Sequence, residues 1–316
     1  MKRRSACAAI GMLLCFGSIL YAQRRLSTTV DRIREMRVAV VQIGFVSNAP
    51  QANPFERRAQ RSGTGFFVSK QAYVLTAGHV IRLAEADAKA KGATKVDFEV
   101  GVLLDPSSNP QMHFQGSFDW TSASVVDVDD LHDLALLKLS KNPFSGEMRS
   151  GIKVGEKDLP LMVGVARLDA VLPPEGNDVL ISGYPLDIPT FVTQKGMVAS
   201  ESYSIVRTQL PGAPAGFFDT HVEDSILLDA VVNPGNSGGP VYGSESGDVV
   251  GICDAYEFSP LFTSKRNEVQ TAPGEFLTQN AGLAIVVPIK YGIELLKKNS
   301  VSDFLTTQIR RSQKVH

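Results

Sequence analysis

Asn233-Pro234-Gly235-Asn236-Ser237-Gly238-Gly239-Pro240 is the stretch of this 316-residue chain that decides its fold. A serine lies between glycines on a tight turn, and β-branched residues precede and follow the turn. Glycines let backbone N–H groups turn inward without a Cβ clash. Two inward N–H groups beside a serine hydroxyl can stabilise an oxyanion next to a nucleophile. The turn therefore predicts an oxyanion hole formed by the N–H groups of Gly235 and Ser237.

Two upstream segments contain the partners that a serine nucleophile needs. In Leu75-Thr76-Ala77-Gly78-His79-Val80 an apolar strand leads to a histidine, and in Asp133-Leu134-Ala135-Leu136-Leu137-Lys138 an aspartate opens an apolar run. A serine hydroxyl needs a base within hydrogen-bond reach, and the base needs an acceptor that fixes its tautomer. The order His79, Asp133, Ser237 predicts a triad of general base and acid, orienting carboxylate and nucleophile.

With these motifs the chain resembles the chymotrypsin-fold (trypsin-like) serine proteases, and most closely those of the HtrA/Deg type. Weaker motifs, Ser62-Gly63-Thr64-Gly65-Phe66-Phe67-Val68 and Gln194-Lys195-Gly196-Met197-Val198-Ala199, agree, and the resemblance spans residues 38–298. It implies an all-β fold of two six-stranded antiparallel β-barrels with a C-terminal helix. It also implies a serine endopeptidase that cleaves exported or misfolded proteins through an acyl-enzyme.

One departure from the HtrA pattern concerns the C-terminal end of the chain. After Pro288, 28 of the 316 residues remain, fewer than the peptide-binding PDZ module that usually follows would need. We therefore expect a protease domain over 38–298 without that module, followed by a helical tail over 299–316.

Two other functions use the same residues. The first is a catalytically silent chymotrypsin-fold protein that binds peptides, which the presence of all three triad residues disfavours. The second is a non-peptidase serine hydrolase such as an esterase, because residues 235–239 match Gly-x-Ser-x-Gly. The α/β-hydrolase fold, however, has the chain order Ser, acid, His and a helix after the serine, and here the order is reversed.

The resemblance also assigns a specificity pocket. In this family the residues just before the oxyanion turn line the pocket for the side chain that precedes the cleaved bond, and the matching positions are Val231 and Val232. Neither is charged, and burying a cationic side chain without a counter-charge is costly. We expect cleavage after small or medium aliphatic residues. Asp254 is the open alternative, since its carboxylate would favour Arg or Lys if it reached the pocket.

Composition and charge exclude several classes of function. The formal net charge is −1, so nothing indicates a nucleic-acid partner, and polypeptide substrates are the expected partners. No cofactor or metal is expected; a calcium site at Asp127, Asp129 and Asp130 is a weak alternative because their spacing fits no EF-hand loop. Of three cysteines, only Cys253 lies outside the first 22 residues, and we expect it to be buried and structural.

The N-terminus has the layout of a targeting segment. Lys2, Arg3 and Arg4 precede an apolar, uncharged stretch over 6–22. This predicts a secretory signal peptide over 1–22 with cleavage after Ala22, followed by an extension over 23–37. The product would be periplasmic or secreted. An uncleaved 6–22 segment, at the short limit for a membrane span, would instead anchor the protein facing outside the cytoplasm.

The remaining sequence alternates short apolar runs with turns, as expected for a barrel or sandwich. A helix is predicted over 81–91 and helical spacing follows residue 289, with an interruption at Asn299-Ser300. Two connections, 201–225 and 255–280, are long for links between strands. Strands are predicted at residues 38–45, 65–68, 74–76, 97–104, 123–128, 134–139, 178–182, 190–199, 226–232, 240–242, 248–253 and 282–287.

Overall fold

The structure is a computed structural model that describes residues 29–50, 60–105, 118–150, 153–154, 156–188, 190–206, 221–263, 269–272 and 275–304. The predicted signal peptide or anchor lies outside these residues, as do residues 23–28 of the extension over 23–37 and the tail from residue 305. The described part of the tail, 299–304, contains turns and no helix. No helix within the described ranges is long and apolar enough to span a membrane.

The N-terminal half forms a closed six-stranded antiparallel barrel in the order β1-β2-β3-β6-β5-β4. Alternating apolar residues of these strands fill its interior, including Ile43, Phe67, Val100 and Leu137. The strands are β1 (Val40–Ser47), β2 (Gln60–Phe67), β3 (Tyr73–Ala77), β4 (Val96–Leu103), β5 (Phe118–Asp129) and β6 (Leu134–Leu139).

The C-terminal half forms a second closed barrel in the order β10-β11-β16-β13-β12-β9. Val179, Ile181, Val198 and Val286 lie in its core. The two-barrel, all-β architecture predicted from the sequence is therefore confirmed. The strands are β9 (Asp178–Gly183), β10 (Val192–Val206), β11 (His221–Asp229), β12 (Pro240–Gly243), β13 (Val249–Pro260) and β16 (Thr278–Pro288); four short strands, β7 (Lys153–Val154), β8 (Lys157–Asp158), β14 (Gln270–Ala272) and β15 (Glu275–Phe276), form two small sheets.

Three α-helices accompany the barrels within the described residues: α1 (Thr29–Arg37), α2 (Gly78–Ala90) and α3 (Ile289–Lys298). The helix expected from residue 81 begins three residues earlier, so it includes His79. Helix α3 ends where Asn299-Ser300 was expected to interrupt it, because Ser300 has a left-handed backbone (φ 55°), which a continuing right-handed helix excludes.

Three predicted segments differ from the structure for identifiable reasons. The strand expected over 226–232 ends at Asp229, since residues 230–233 leave the sheet to enter the serine turn. The connections expected over 201–225 and 255–280 contain strand extensions, because β10, β11, β13 and β16 continue beyond the barrel as long antiparallel pairs.

Candidate active site

His79 lies in the first turn of α2, directly after β3. Strand β3 pairs with β6 up to the pair Ala77 and Leu134, so the end of one strand adjoins the beginning of the other. The N–H of Gly78 donates to the carbonyl of Asp133 (2.7 Å). This backbone bond places the His79 ring beside the Asp133 carboxylate, as the sequence predicted.

Asp133 is fully buried and has a left-handed backbone (φ 52°) at the entry to β6. Its Oδ2 lies 2.5 Å from His79 Nδ1, and the guanidinium of Arg82 donates to its Oδ1. Burial opposes ionisation of this carboxyl, but the His79 ring and the Arg82 cation outweigh it and hold its pKa well below the usual range. The carboxylate is therefore ionised and accepts the Nδ1–H of His79, which leaves Nε2 as the other ring nitrogen.

Ser237 lies on a turn in which two glycines have left-handed backbones. Gly235 (φ 96°) and Gly238 (φ 82°) have no room for a Cβ, which would lie 2.6 Å from the Tyr184 carbonyl oxygen and 2.2 Å from the Thr64 carbonyl oxygen respectively. The carbonyl of Ser237 accepts from the N–H of Thr64 (2.9 Å) in the first barrel. The turn is thus fixed where the two barrels meet.

The Ser237 hydroxyl donates to the backbone carbonyl of Asp254 (3.1 Å). Within the described residues no hydrogen bond joins it to His79. Both groups nevertheless contact Asp254, because the hydroxyl bonds to its backbone carbonyl and its side chain lies against the His79 ring. Rotation about the Ser237 Cα–Cβ bond is the change that would redirect the hydroxyl.

The backbone donors of the turn fall into two groups. The N–H groups of Asn236, Gly238 and Gly239 donate to carbonyls of the turn and of β13 (2.7–3.0 Å). The N–H groups of Gly235 and Ser237, the two predicted for the oxyanion hole, take part in no hydrogen bond among the residues that the structure describes. They are the pair that remains for a ligand.

Neighbouring groups hold this turn in place, and the sequence did not single them out. The hydroxyl of Thr64 donates to the Gly235 carbonyl (2.6 Å) and accepts from the Tyr184 N–H (3.0 Å). The N–H of Leu186 donates to the Pro234 carbonyl (2.7 Å). Thr64 lies in the Ser62–Val68 motif, so the sequence contained a pattern that could have identified it as a site residue. No local sequence pattern identifies Leu186.

Asp254 lies beside the His79 ring. Its side chain is 1% exposed, and its Oδ1 lies 3.4 Å from His79 Nδ1, the nitrogen that also contacts Asp133. Burial of the ring opposes its protonation, but the Asp133 and Asp254 carboxylates outweigh this and raise the pKa of His79 to about 10. Asp254, the open alternative for a basic specificity pocket, thus has its carboxylate at the His79 ring.

The three side chains could ligate a metal, since one donor atom from each of His79, Asp133 and Asp254 lies within 4.8 Å of the others. Ligand atoms of one tetrahedral zinc ion, at its usual bond lengths, lie roughly 3.3 Å apart. The 2.5 Å between His79 Nδ1 and Asp133 Oδ2 is instead a hydrogen-bond distance, and the Arg82 cation contacts the same carboxylate. The geometry is that of a proton-sharing cluster.

The two predicted pocket residues differ sharply in exposure. Val232 is 1% exposed and packs in the core of the second barrel. Val231 is 57% exposed, and its Cγ2 lies 4.0 Å from the point where a Cβ on Gly282 would lie. Of the two, Val231 is the side chain that a ligand can reach.

The remaining candidates have structural partners. Asp127 contacts Lys298, Asp129 contacts His132, and Asp130 contacts Arg82, so the three carboxylates face different basic side chains rather than a common point. Cys253 is buried, and burial together with the neighbouring Asp254 raises the pKa of its thiol. A neutral thiol agrees with the structural role expected for it.

A family model described as the trypsin-like peptidase domain matches residues 63–252, more than half of the chain. The chain belongs to the trypsin-like peptidase family. Its two-barrel fold excludes the α/β-hydrolase alternative, since in this trypsin-like domain the Ser237 turn leads into β12 and not into a helix.

Similarity to individual proteins supports this assignment. The chain is 31% identical over 247 residues to a probable periplasmic serine endoprotease DegP-like of Pseudomonas putida, covering 77% of the chain and 36% of that protein. It is 28% identical over 233 residues to serine protease HTRA1B of Danio rerio, covering 73% and 37%. The chain thus spans a little over a third of the length of these relatives.

Among solved structures, the Rv3671c protease of M. tuberculosis in its active form superposes with a TM-score of 0.50. The two chains are 19% identical, and the match covers 84% of this chain and 83% of that one. This likeness concerns the fold alone.

Proposed function

We propose that this protein is a serine endopeptidase that cleaves exported or misfolded proteins, with Ser237 as nucleophile, His79 as general base and acid and Asp133 as orienting carboxylate. The observation that carries the proposal is the 2.5 Å contact between His79 Nδ1 and Asp133 Oδ2, next to a serine turn with two unengaged N–H groups. A nucleophile, an oriented base and an oxyanion hole are what acyl transfer requires.

The reaction would proceed in two displacements. When a peptide binds, the Ser237 hydroxyl leaves the Asp254 carbonyl and its oxygen bonds to the substrate carbonyl carbon, while its proton passes to His79 Nε2. The N–H groups of Gly235 and Ser237 stabilise the resulting oxyanion. The C–N bond then breaks, the amine takes the proton from His79, and water releases the acyl group by the same steps in reverse.

Replacement of the serine tests this function. In Ser237→Ala the peptidase rate should fall by several orders of magnitude, leaving only the contribution of binding and the oxyanion hole. A fluorophosphonate should label the unmodified protein and not the variant. Ser202→Ala, which removes an exposed hydroxyl on β10, should behave as the unmodified protein. Peptide binding without labelling or turnover would instead support the catalytically silent alternative.

The specificity that we propose is cleavage after small or medium aliphatic residues such as Val, Ala, Ile or Leu. It is supported by the exposed, uncharged side chain of Val231 and by the position of the Asp254 carboxylate at His79 instead of in a pocket. Discrimination among aliphatic residues should be modest, because one methylene contributes about 1–3 kcal/mol in an apolar pocket. A peptide-library cleavage profile measures it, and a dominant Arg or Lys preference would contradict it.

We further propose that the protein is exported. The basic residues and apolar stretch of the first 22 residues support this, as do relatives named periplasmic. Fractionation of cells, with determination of the mature N-terminus, tests the proposal. An N-terminus at Gln23 would indicate a cleaved signal, and an intact N-terminus in the membrane fraction would indicate an anchor through residues 6–22.

A further inference from the structure

The environment of His79 contains a second acidic group besides Asp133. Asp254 comes from β13 of the second barrel, whereas Asp133 comes from β6 of the first. Both carboxylates face the same ring nitrogen, Asp133 Oδ2 at 2.5 Å and Asp254 Oδ1 at 3.4 Å from Nδ1. The Asp254 side chain is almost completely buried, at 1% exposure, so water screens its charge only weakly.

Within the part of the chain that the structure describes, few other charged groups lie around this cluster. Arg82 of α2 contacts Asp133 and Asp130. The thiol of Cys253, next to Asp254 on β13, is held neutral by burial. Two buried carboxylates thus face one guanidinium, which is also shared with Asp130. The Asp254 side chain also hydrogen-bonds to Asp133. A positive charge on His79 would balance the negative charge that this pair carries beyond that of Arg82.

We propose that Asp254 is a positioning residue that acts as a second acidic partner of His79: its buried carboxylate stabilises the imidazolium and thereby sets the pH above which His79 can accept the Ser237 proton. This inference rests on the proposed function. An opposite charge at this distance shifts a proton affinity about tenfold or more. His79 would consequently remain protonated at neutral pH, and turnover would rise as the pH increases.

The pH dependence of kcat/KM tests the role of Asp254. Asp254→Asn keeps the shape of the side chain and removes its charge, so the acidic limb of the profile should move to lower pH by about one unit or more. Asp229→Asn, which neutralises an exposed carboxylate on β11 of the same barrel, should leave the limb in place. If Asp254→Asn leaves the acidic limb of the profile unchanged, the proposal is overturned. This outcome also covers the case in which the Asp254 carboxyl is itself protonated and carries no charge.

A second measurement does not depend on peptidase activity. NMR titration of the His79 ring in the Ser237→Ala background should give a midpoint well above the ordinary histidine value of about 6.5, and Asp254→Asn should lower it. A midpoint near the ordinary value in the Ser237→Ala protein overturns the proposal, even where the Asp254 variant fails to fold. If the Ser237→Ala protein gives a high midpoint but the unmodified protein shows no peptidase turnover, the proposed function is contradicted and the inference on Asp254 stays intact.

Discussion

At the residue scale, Leu186 illustrates how an exposed residue can support the serine turn. It has a left-handed backbone (φ 56°, ψ 34°) although it is not glycine, and its side chain is 58% exposed. Its N–H donates to the Pro234 carbonyl. Because the carbonyl and N–H of a trans peptide point in opposite directions, this bond directs the Gly235 N–H away from Leu186. The unfavourable backbone conformation thus orients one donor of the proposed oxyanion hole.

Two substitutions at Leu186 separate its backbone role from its side chain. Leu186→Pro fixes φ near −65° and removes the N–H, so kcat should fall about tenfold to a hundredfold with little change in KM. Leu186→Gly adopts the left-handed conformation readily and should retain kcat. Steady-state kinetics, with the affinity of a peptide aldehyde as a probe of the oxyanion hole, measures both. Equal kcat in the two variants would contradict the role.

Val231 offers a test of the proposed pocket by a gain of specificity. Its side chain is exposed, so Val231→Asp should fold, and the new carboxylate should shift cleavage towards Arg and Lys because it provides a counter-charge. The same change at Val232 would bury a charge in the barrel core and should lower the melting temperature sharply. Library profiling of Val231→Asp measures the preference; an unchanged aliphatic profile would place the pocket elsewhere.

At the scale of elements, helix α3 is the part of the fold that closes the space between the barrels. Ile289, Ile293 and Leu296 lie on one face and are buried. They belong to a core cluster that includes Leu75 and Leu134 of the first barrel and Ile252 of the second. The helix therefore stabilises the contact between the strands that position His79, Asp133 and Asp254.

Truncation of this helix face should destabilise the whole protein. Leu296 is fully buried, and Leu296→Ala should lower the free energy of unfolding by about 2–5 kcal/mol. Lys297→Ala, at the exposed neighbouring position, should change it by less than about 0.5 kcal/mol. Urea unfolding followed by circular dichroism gives both values. A small loss in Leu296→Ala would mean that α3 docks independently of the barrels.

At the scale of the whole molecule, α3 also joins the barrels through charged groups. At one end, Lys290 and Tyr291 contact Asp224 of the second barrel. At the other, Lys298 contacts Asp127 of the first barrel. These bonds hold the pKa of both carboxyls below the usual range, chiefly through the lysine contacts. Tyr291 also stacks on His132 of the first barrel (3.6 Å between ring centroids).

The lowered pKa values give a signed pH dependence. The stability contributed by Asp127 and Asp224 is present above the ordinary aspartate pKa of about 3.9 and is lost as the pH falls through the lower folded-state values. Asp133 contributes in the same direction. Unfolding free energies measured between pH 5 and about 2 should therefore fall less steeply in Asp127→Asn/Asp224→Asn than in the unmodified protein. Equal slopes would mean that these two contacts contribute nothing to the acid dependence.

The sequence alone, through the resemblance of its motifs, determined the fold class, and it predicted the triad candidates and the glycine turn around Ser237. These features depend on local patterns: a left-handed glycine is needed at a fixed place in a turn, and apolar alternation marks a strand wherever that strand lies. The Gly235 and Gly238 conformations, the barrel strands and the proximity of His79 to Asp133 all agree with expectations from short segments.

Only the tertiary structure decided the orientations of Asp254, Val231 and Leu186. The sequence allowed Asp254 a place in the specificity pocket, yet its side chain points to His79, 175 positions earlier in the chain. Val231 and Val232 are chemically alike, and the departure of the chain from β11 makes one exposed and the other buried. The physical reason is that side-chain direction near a strand end follows from packing between the two barrels, which no local pattern contains.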